Sequence, residues 1–330
     1  MSKLRLSFSC WDYDRMRALA DGSVTAEGID LICMKHVVEE TFFRMARHRE
    51  FDLAEMSLSS YTVSLSRPEK PFIAIPVFPS RMFRHGFIYT STKSGIREPK
   101  DLIGKRIGTP EYQLTAPVWI RGILQDEYGV DPASPTYLTG GLFEAGRIEK
   151  IALNLPPKFK LETIDPTKTL SEMIATGEID AIQAPHPPST FHTQPDRVKR
   201  LIESYVEVER AYFRKTKIFP IMHTVAIRRE VYEANRWIAQ SLFKAFVEAQ
   251  RKIYDMLHHQ EAYSTMLPWQ MAYVEETQRE FGPDWWAYGF EANRHVLDTF
   301  LRYHHEQGLS PRRLKPEDLF APETFEGFKI

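Results

Sequence analysis

The sequence predicts an α/β protein of two lobes, with a ligand cleft between them and a helical C-terminal region. Three observations carry this. Short alternating or apolar runs, such as Leu4-Arg5-Leu6-Ser7-Phe8 and Phe72-Ile73-Ala74-Ile75, are separated by helix-length segments, the grammar of sheets with crossover helices. That grammar stops after Phe87-Ile88-Tyr89 and restarts near residue 99. Two stretches rhyme: Phe51-Asp52-Leu53-Ala54-Glu55-Met56-Ser57 and Ile179-Asp180-Ala181-Ile182-Gln183-Ala184-Pro185 each follow a helix and put polar residues just beyond a strand's C-terminal end. Ligands of open parallel sheets sit at such strand ends, against helix N-termini. A length of 330 residues suits two lobes. The expected division gives 1–90 with 220–330 to the first lobe and 91–219 to the second.

In chain order, a first strand over 4–8 leads through Cys10-Trp11-Asp12-Tyr13-Asp14 to a helix over 15–21. Gly28-Ile29-Asp30-Leu31-Ile32 opens a second strand, and 38–48 reads as a helix with Phe42, Phe43, Met45 and Ala46 apolar. A third strand over 51–56 runs into a helix that Ser57 and its neighbouring serines can cap. Strands over 72–75 and 87–89 come next, then a turn and a strand within 99–110. Thr115-Ala116-Pro117 starts a helix bearing Trp119, Ile120, Ile123 and Leu124, with proline where a first turn tolerates it. Residues 137–146 are Gly-rich and read as irregular. A helix over 170–176 ends at Gly177, and a strand over 179–184 leads into the loop Pro185-His186-Pro187-Pro188-Ser189-Thr190. The apolar stretch 218–227 reads as a strand returning to the first lobe, followed by one long helix over 231–258 and another over 291–304. The run Trp285-Trp286-Ala287-Tyr288-Gly289-Phe290 reads as packing. Leu319-Phe320-Ala321-Pro322 and the tail behind it read as a surface clasp.

Composition removes several functional classes. Lys+Arg total 43 against Asp+Glu 44, a net charge of -1, so no basic excess points to nucleic acid. No run of about 18 apolar residues could cross a membrane. The N-terminus alternates and has no apolar signal segment. With only Cys10 and Cys33, a reduced cytoplasmic protein is expected. There is no Cys pair at zinc spacing, no His-Glu-x-x-His and no phosphate-cradling Gly loop, so no metal or nucleotide signature stands out. Assembly into a homo-oligomer is compatible with the sequence.

The stretch 76–90 holds the densest chemistry. Arg81, Arg84 and His85 fall within five residues, beside a strand. Arginine presents a charged planar fork to a carboxylate, and histidine exchanges a proton near neutrality. Ser57, Ser59 and the helix start at Thr115-Ala116 add hydroxyl and amide donors, since the first N–H groups of a helix lack intrahelical partners.

Lys100-Asp101-Leu102-Ile103-Gly104-Lys105-Arg106-Ile107-Gly108, followed by Gly177-Glu178-Ile179-Asp180-Ala181, resembles the type II periplasmic-binding-protein fold. Four further segments resemble the 4,5-dihydroxyphthalate decarboxylases on that fold: 51–57, Pro76-Val77-Phe78-Pro79-Ser80-Arg81-Met82-Phe83-Arg84-His85, Pro110-Glu111-Tyr112-Gln113-Leu114-Thr115-Ala116, and Tyr288-Gly289-Phe290-Glu291-Ala292-Asn293-Arg294. Gln307-Gly308-Leu309 and Leu319-Phe320 belong to the same pattern. The resemblance implies loss of one carboxylate from an aromatic ortho-dicarboxylate, giving 3,4-dihydroxybenzoate without an organic cofactor. Such chemistry needs an anion clamp, a base near the ring hydroxyls and an acid over the ring. Arg81 and Arg84 are expected to grip carboxylate, helped by Ser57, Ser59, Thr115 and Ala116. His85 and His223 are expected to form the acid–base pair, with Glu55 orienting one of them and His186 holding a catechol oxygen. The competing expectations are a solute-binding protein for an aromatic or dicarboxylate ligand, another enzyme on this scaffold acting on a related aromatic acid or in pyrimidine-type biosynthesis, and a metal-assisted decarboxylase in which His85, His186 and His223 converge on a divalent ion.

Overall fold

In the computed structural model, which describes residues 2–325, β1 (Leu4–Cys10), α1 (Asp14–Ala20), β2 (Ile29–Lys35) and α2 (Val38–His48) form the first crossover units. The alternation in β1 does what its pattern dictates: Leu6 and Phe8 are buried, Arg5 exposed. β3 (Leu53–Ser57) pairs in parallel with β1, and Ser57 is both its last residue and the N-cap of α3 (Leu58–Leu65), its hydroxyl accepting the Ser60 N–H. No residue of α3 is charged, and all are buried. β4 (Phe72–Ile75) completes this part of the first sheet.

The chain then crosses through a 3-10 turn, His85–Phe87, into β5 (Ile88–Ser91) of a second sheet. There follow β6 (Arg106–Thr109), α4 (Thr115–Tyr128), β7 (Thr136–Thr139), β8 (Lys160–Thr163), α5 (Leu170–Thr176), β9 (Ala181–Gln183), α6 (Ser189–Thr193) and β10 (Val198–Arg200). The strand order is β10-β5-β9-β6-β7-β8. β7 runs into a stretch expected to be irregular, and β8 and β10 are strands that no sequence pattern marks. Strands of three or four residues are too short for a two-residue period to declare itself.

α7 (Tyr205–Thr216) carries the chain back, and β11 (His223–Arg228) inserts antiparallel between β3 and β4, giving the order β2-β1-β3-β11-β4. Both sheets are therefore mixed rather than parallel. The antiparallel strands include β5 and β11, the first strand after each crossing.

The helix expected over 231–258 is two, α8 (Arg229–Ala234) and α9 (Ile238–His258). Asn235 breaks it: its side-chain amide donates to Val231 O, a local bond that competes with helix continuation. α10 (Gln270–Phe281) and α11 (Arg294–Glu306) complete the helices, α11 being preceded by a 3-10 turn. The C-terminal region serves both sheets. α9 packs on α1, whereas α11 packs on α4, with Trp119 against Phe300 and Tyr303 at ring separations of 5.5 and 5.7 Å. Gly122 permits that approach, since a Cβ there would lie 2.1 Å from the Tyr303 ring.

The expected surface clasp is instead interior. Leu319 and Phe320 are buried, Tyr61 donates its hydroxyl to Leu319 O, and Ala321 N–H donates to Ala74 O at 2.9 Å. The remainder of that clasp, 326–330, lies outside the described residues. The aromatic run at 285–290 packs as expected, with Trp286 Nε1–H donating to Phe78 O. Cys10 and Cys33 are free thiols. Among the described residues no helix is long and apolar enough to cross a membrane.

Candidate active site

The antiparallel register sets His223 directly opposite Ser57, and Val225 opposite Glu55. Glu55, Ser57 and His223 therefore share one face of the sheet, with Glu55 and His223 diagonal neighbours. The consequence is a hydrogen bond of 2.6 Å from His223 Nδ1 to Glu55 Oε1. Glu55 is fully buried and also accepts the Tyr13 hydroxyl at 2.6 Å and the Trp11 N–H at 3.1 Å. Burial pushes its carboxyl upward, but the His223 charge and these hydrogen bonds outweigh it and hold Glu55 below the usual carboxylate range. With Nδ1 committed to Glu55, the His223 ring has Nε2 left, which has no hydrogen-bond partner among the described residues. The ring stands edge-on to Phe42 at 4.9 Å.

The two arginines of the 81–85 stretch have different surroundings. Both are buried, and desolvation lowers each to about 10, so both stay charged near neutrality. Arg81 donates to Phe219 O, Ala287 O and Asn293 Oδ1, so its guanidinium ties the crossing segment to the C-terminal region. This revises its expected place in an anion clamp, because most of its donors are already taken by fixed protein oxygens. Arg84 has only weak acceptors: the Met222 thioether at 3.2 Å and Pro185 O at 3.3 Å. No carboxylate lies within ion-pair distance of it among the described residues. Its partners adjoin His223 on one side and His186 on the other.

Two helix starts meet beside it. The Ser57 and Thr115 hydroxyls share a hydrogen bond of 2.8 Å, and Ser59 N–H donates to Thr115 Oγ1 at 3.0 Å. Leu58 N–H donates to Met222 O at 3.0 Å. The polar groups of Ser57 and the Ser59 amide, expected to face an anion, thus join α3 to α4, while Ser59 Oγ is buried without a partner. Thr115 and Ala116 open α4, both buried.

His85 does not join His223. It lines a small, nearly filled apolar pocket with Arg84, Ile88, Ile120, Ile123 and Leu124, with its ring 5.0 Å from Tyr212 and Nδ1 3.8 Å from Glu209. Burial pushes its imidazole down to about 4. The expected His85–His223 acid–base pair is corrected accordingly, because the 3-10 turn tucks His85 beneath α7. His186 is exposed overall beside Phe143, and partial burial of its ring, together with Arg84 and Arg147 and against the pull of Glu39, keeps its imidazole below the ordinary value. Among the described residues no three His, Cys, Asp or Glu side chains group at metal-binding range, so His85, His186 and His223 do not converge.

Several residues of this region carried no sequence signal. Tyr13 lies in a loop whose only mark was its position after a strand. Arg147 Nη1 donates to Glu39 Oε2 at 2.9 Å, joining the second sheet's long loop to α2. Arg147 is fixed from behind by Glu111, which also accepts Lys150 Nζ at 2.5 Å. Partners 108 residues apart leave no periodic trace.

The chain is 43% identical over all 330 residues to a 4,5-dihydroxyphthalate decarboxylase of Comamonas testosteroni, with 100% of both chains aligned. It belongs to the 4,5-dihydroxyphthalate decarboxylase family. A 4,5-dihydroxyphthalate decarboxylase of Pseudomonas putida is 49% identical over 191 residues, 58% of this chain and 74% of that one. No model of a known protein family matches. Among solved structures, the periplasmic aliphatic sulphonate binding protein of Escherichia coli superposes with a TM-score of 0.52 at 12% identity, covering 98% of this chain and 99% of that one. Protein AF1704 of Archaeoglobus fulgidus gives 0.52 at 15%, covering 92% and 98%. This decarboxylase family member thus has the two-lobe α/β fold of periplasmic binding proteins.

Proposed function

We propose that this protein decarboxylates 4,5-dihydroxyphthalate to 3,4-dihydroxybenzoate in the cytoplasm, using its own side chains for proton transfer. One observation carries the reading: a chain 43% identical from end to end to a 4,5-dihydroxyphthalate decarboxylase places an imidazole against a buried carboxylate, close to an arginine that lacks an anion.

The substrate dictates what is needed. Direct loss of carbon dioxide would leave an aryl carbanion without an electron sink. The hydroxyl para to the departing carboxylate removes that difficulty. When it gives up its proton to the His186 imidazole, the electron pair flows through the ring to the carboxylated carbon. That carbon takes a proton from His223 Nε2, forming a dienone. The carbon–carboxylate bond then breaks, its electrons restore the aromatic ring, carbon dioxide leaves, and the phenolate oxygen recovers a proton. Glu55 orients the imidazole, and Tyr13 steadies Glu55. Arg84 takes a carboxylate, with the hydroxyls of Ser57 and Thr115 and the start of α4 beside it. His186, neutral near pH 7, accepts from a catechol hydroxyl.

A solute-binding protein on the same fold would bind the same molecule without consuming it. Purified protein given 4,5-dihydroxyphthalate, with carbon dioxide and 3,4-dihydroxybenzoate followed with and without chelator, separates the two. The expected result is equimolar release of both products. Saturable binding with no carbon dioxide would overturn the reading.

A further inference from the structure

The strongest unassigned cluster is at the rim where α2 meets the loop after β7. Glu111 is fully buried and accepts from Arg147 Nε at 3.1 Å and Nη2 at 2.7 Å, from the Lys150 amide at 2.9 Å and Nζ at 2.5 Å, and from Gln113 Nε2 at 2.9 Å. Burial pushes the Glu111 carboxyl upward, but Lys150 and Arg147 hold it below the usual range. Glu111 is thus an anionic pedestal that fixes one edge of the Arg147 guanidinium and leaves Nη1 projecting toward the other lobe. That nitrogen is met by Glu39 Oε2 at 2.9 Å. The pair is unequal. The Arg147 side chain is 19% exposed and rigidly held, whereas that of Glu39 is 44% exposed and its only ion-pair partner among the described residues is Arg147. Phe143, four residues before Arg147 in the same loop, stands beside His186, and Phe43, beside Glu39 on α2, lies 5.9 Å from Arg147 and 4.8 Å from Lys150.

We propose that Arg147 binds the second carboxylate of the substrate, and that Glu39 is a protein carboxylate holding that position until substrate displaces it. The inference rests on the reading of this cleft as a dihydroxyphthalate site. An ortho-dicarboxylate presents two anionic groups on adjacent carbons, and a single arginine fork satisfies one of them. A planar guanidinium whose rear edge is locked by a buried carboxylate is preorganised for the other. Glu39 leaves at little cost, because water already reaches it. Arg147 is then a specificity-determining residue that separates ortho-dicarboxylates from monocarboxylates, including the reaction product.

Two variants test this, with phthalate as the dicarboxylate probe and benzoate as the monocarboxylate, binding read by calorimetry. Glu39→Gln removes the competing anion from an exposed position and leaves the pedestal intact. It is expected to tighten phthalate by about threefold or more, with benzoate unchanged. Arg147→Gln is expected to weaken phthalate by about tenfold or more, with benzoate changed less than about threefold. If Glu39→Gln weakens phthalate or leaves it unchanged, the pair is a latch or an ornament of the rim and the inference falls, whether or not Arg147→Gln folds. Turnover of 4,5-dihydroxyphthalate by the unaltered protein is measured alongside. Turnover with the wrong Glu39→Gln result overturns this inference alone, and absence of turnover overturns the decarboxylase reading itself.

Discussion

Oε1 of Glu55 receives hydrogen bonds from both His223 Nδ1 and the Tyr13 hydroxyl, each at 2.6 Å, on a carboxylate with no exposed surface. One oxygen thus links the strand that returns from the second lobe to the loop at the end of β1.

Tyr13→Phe tests that link. A hydrogen bond to a charged group contributes about 1.5–3 kcal/mol, so its loss lets His223 drift and lowers turnover by about tenfold or more, with substrate affinity nearly unchanged. The pH profile carries the sign. Tyr13 helps hold Glu55 below its ordinary range, so its removal raises the Glu55 titration and moves the acid limb of turnover to higher pH. A purely packing role for Tyr13 would change melting temperature without moving that limb.

The two arginines should separate experimentally. Arg84→Gln is expected to weaken binding of a carboxylate ligand by about 2–5 kcal/mol while thermal stability stays close to the parent. Arg81→Gln is expected to do the reverse, because Phe219 O, Ala287 O and Asn293 lose a buried donor at about 1–3 kcal/mol for each group left unsatisfied. Calorimetric affinity and thermal unfolding on both variants decide the matter. Equal loss of affinity in both would return Arg81 to the clamp.

His85 and Glu209 make opposite contributions to stability against pH. Burial lowers His85 to about 4, so the unfolded chain takes up a proton that the folded one refuses, and stability rises as pH climbs from about 4 to 6.5. Burial raises Glu209 to about 7, so the folded state holds a proton the unfolded one releases, and stability falls as pH climbs from about 4.5 to 7. The two lie 3.8 Å apart and largely offset each other. Glu209→Gln keeps an acceptor for the Gly86 N–H and should uncover the rising profile, whereas His85→Gln should uncover the falling one. Urea unfolding between pH 4 and 7.5 reads both slopes, and parallel slopes in the two variants would contradict the assignment.

Elements with a strong local signal were legible in the sequence. Apolar spacing placed α2, the start of α4 fell at Thr115, and Gly177 closed α5 in the left-handed conformation. The contact between Glu55 and His223 follows once 51–57 and the stretch after Ile218 are read as strands of one sheet. What was hidden depends on tertiary position. His85 and Arg84 are adjacent in sequence, yet the 3-10 turn sets the histidine against Tyr212 and Glu209, whereas the arginine's donors reach Met222 and Pro185, the residues preceding His223 and His186. Arg81 resembles Arg84 in composition, and only the fixed oxygens around it show that both its terminal nitrogens are occupied. The Glu39–Arg147 contact depends on how α2 and a distant loop approach each other, which no local pattern records.

The most direct test of the account is His223→Gln, with 4,5-dihydroxyphthalate binding and carbon dioxide release measured separately on the same preparation. Glutamine keeps a polar side chain beside Glu55 but cannot deliver the proton. Turnover is expected to fall by about 10²–10⁴ while the dissociation constant changes little. Turnover within a few-fold of the parent would contradict it.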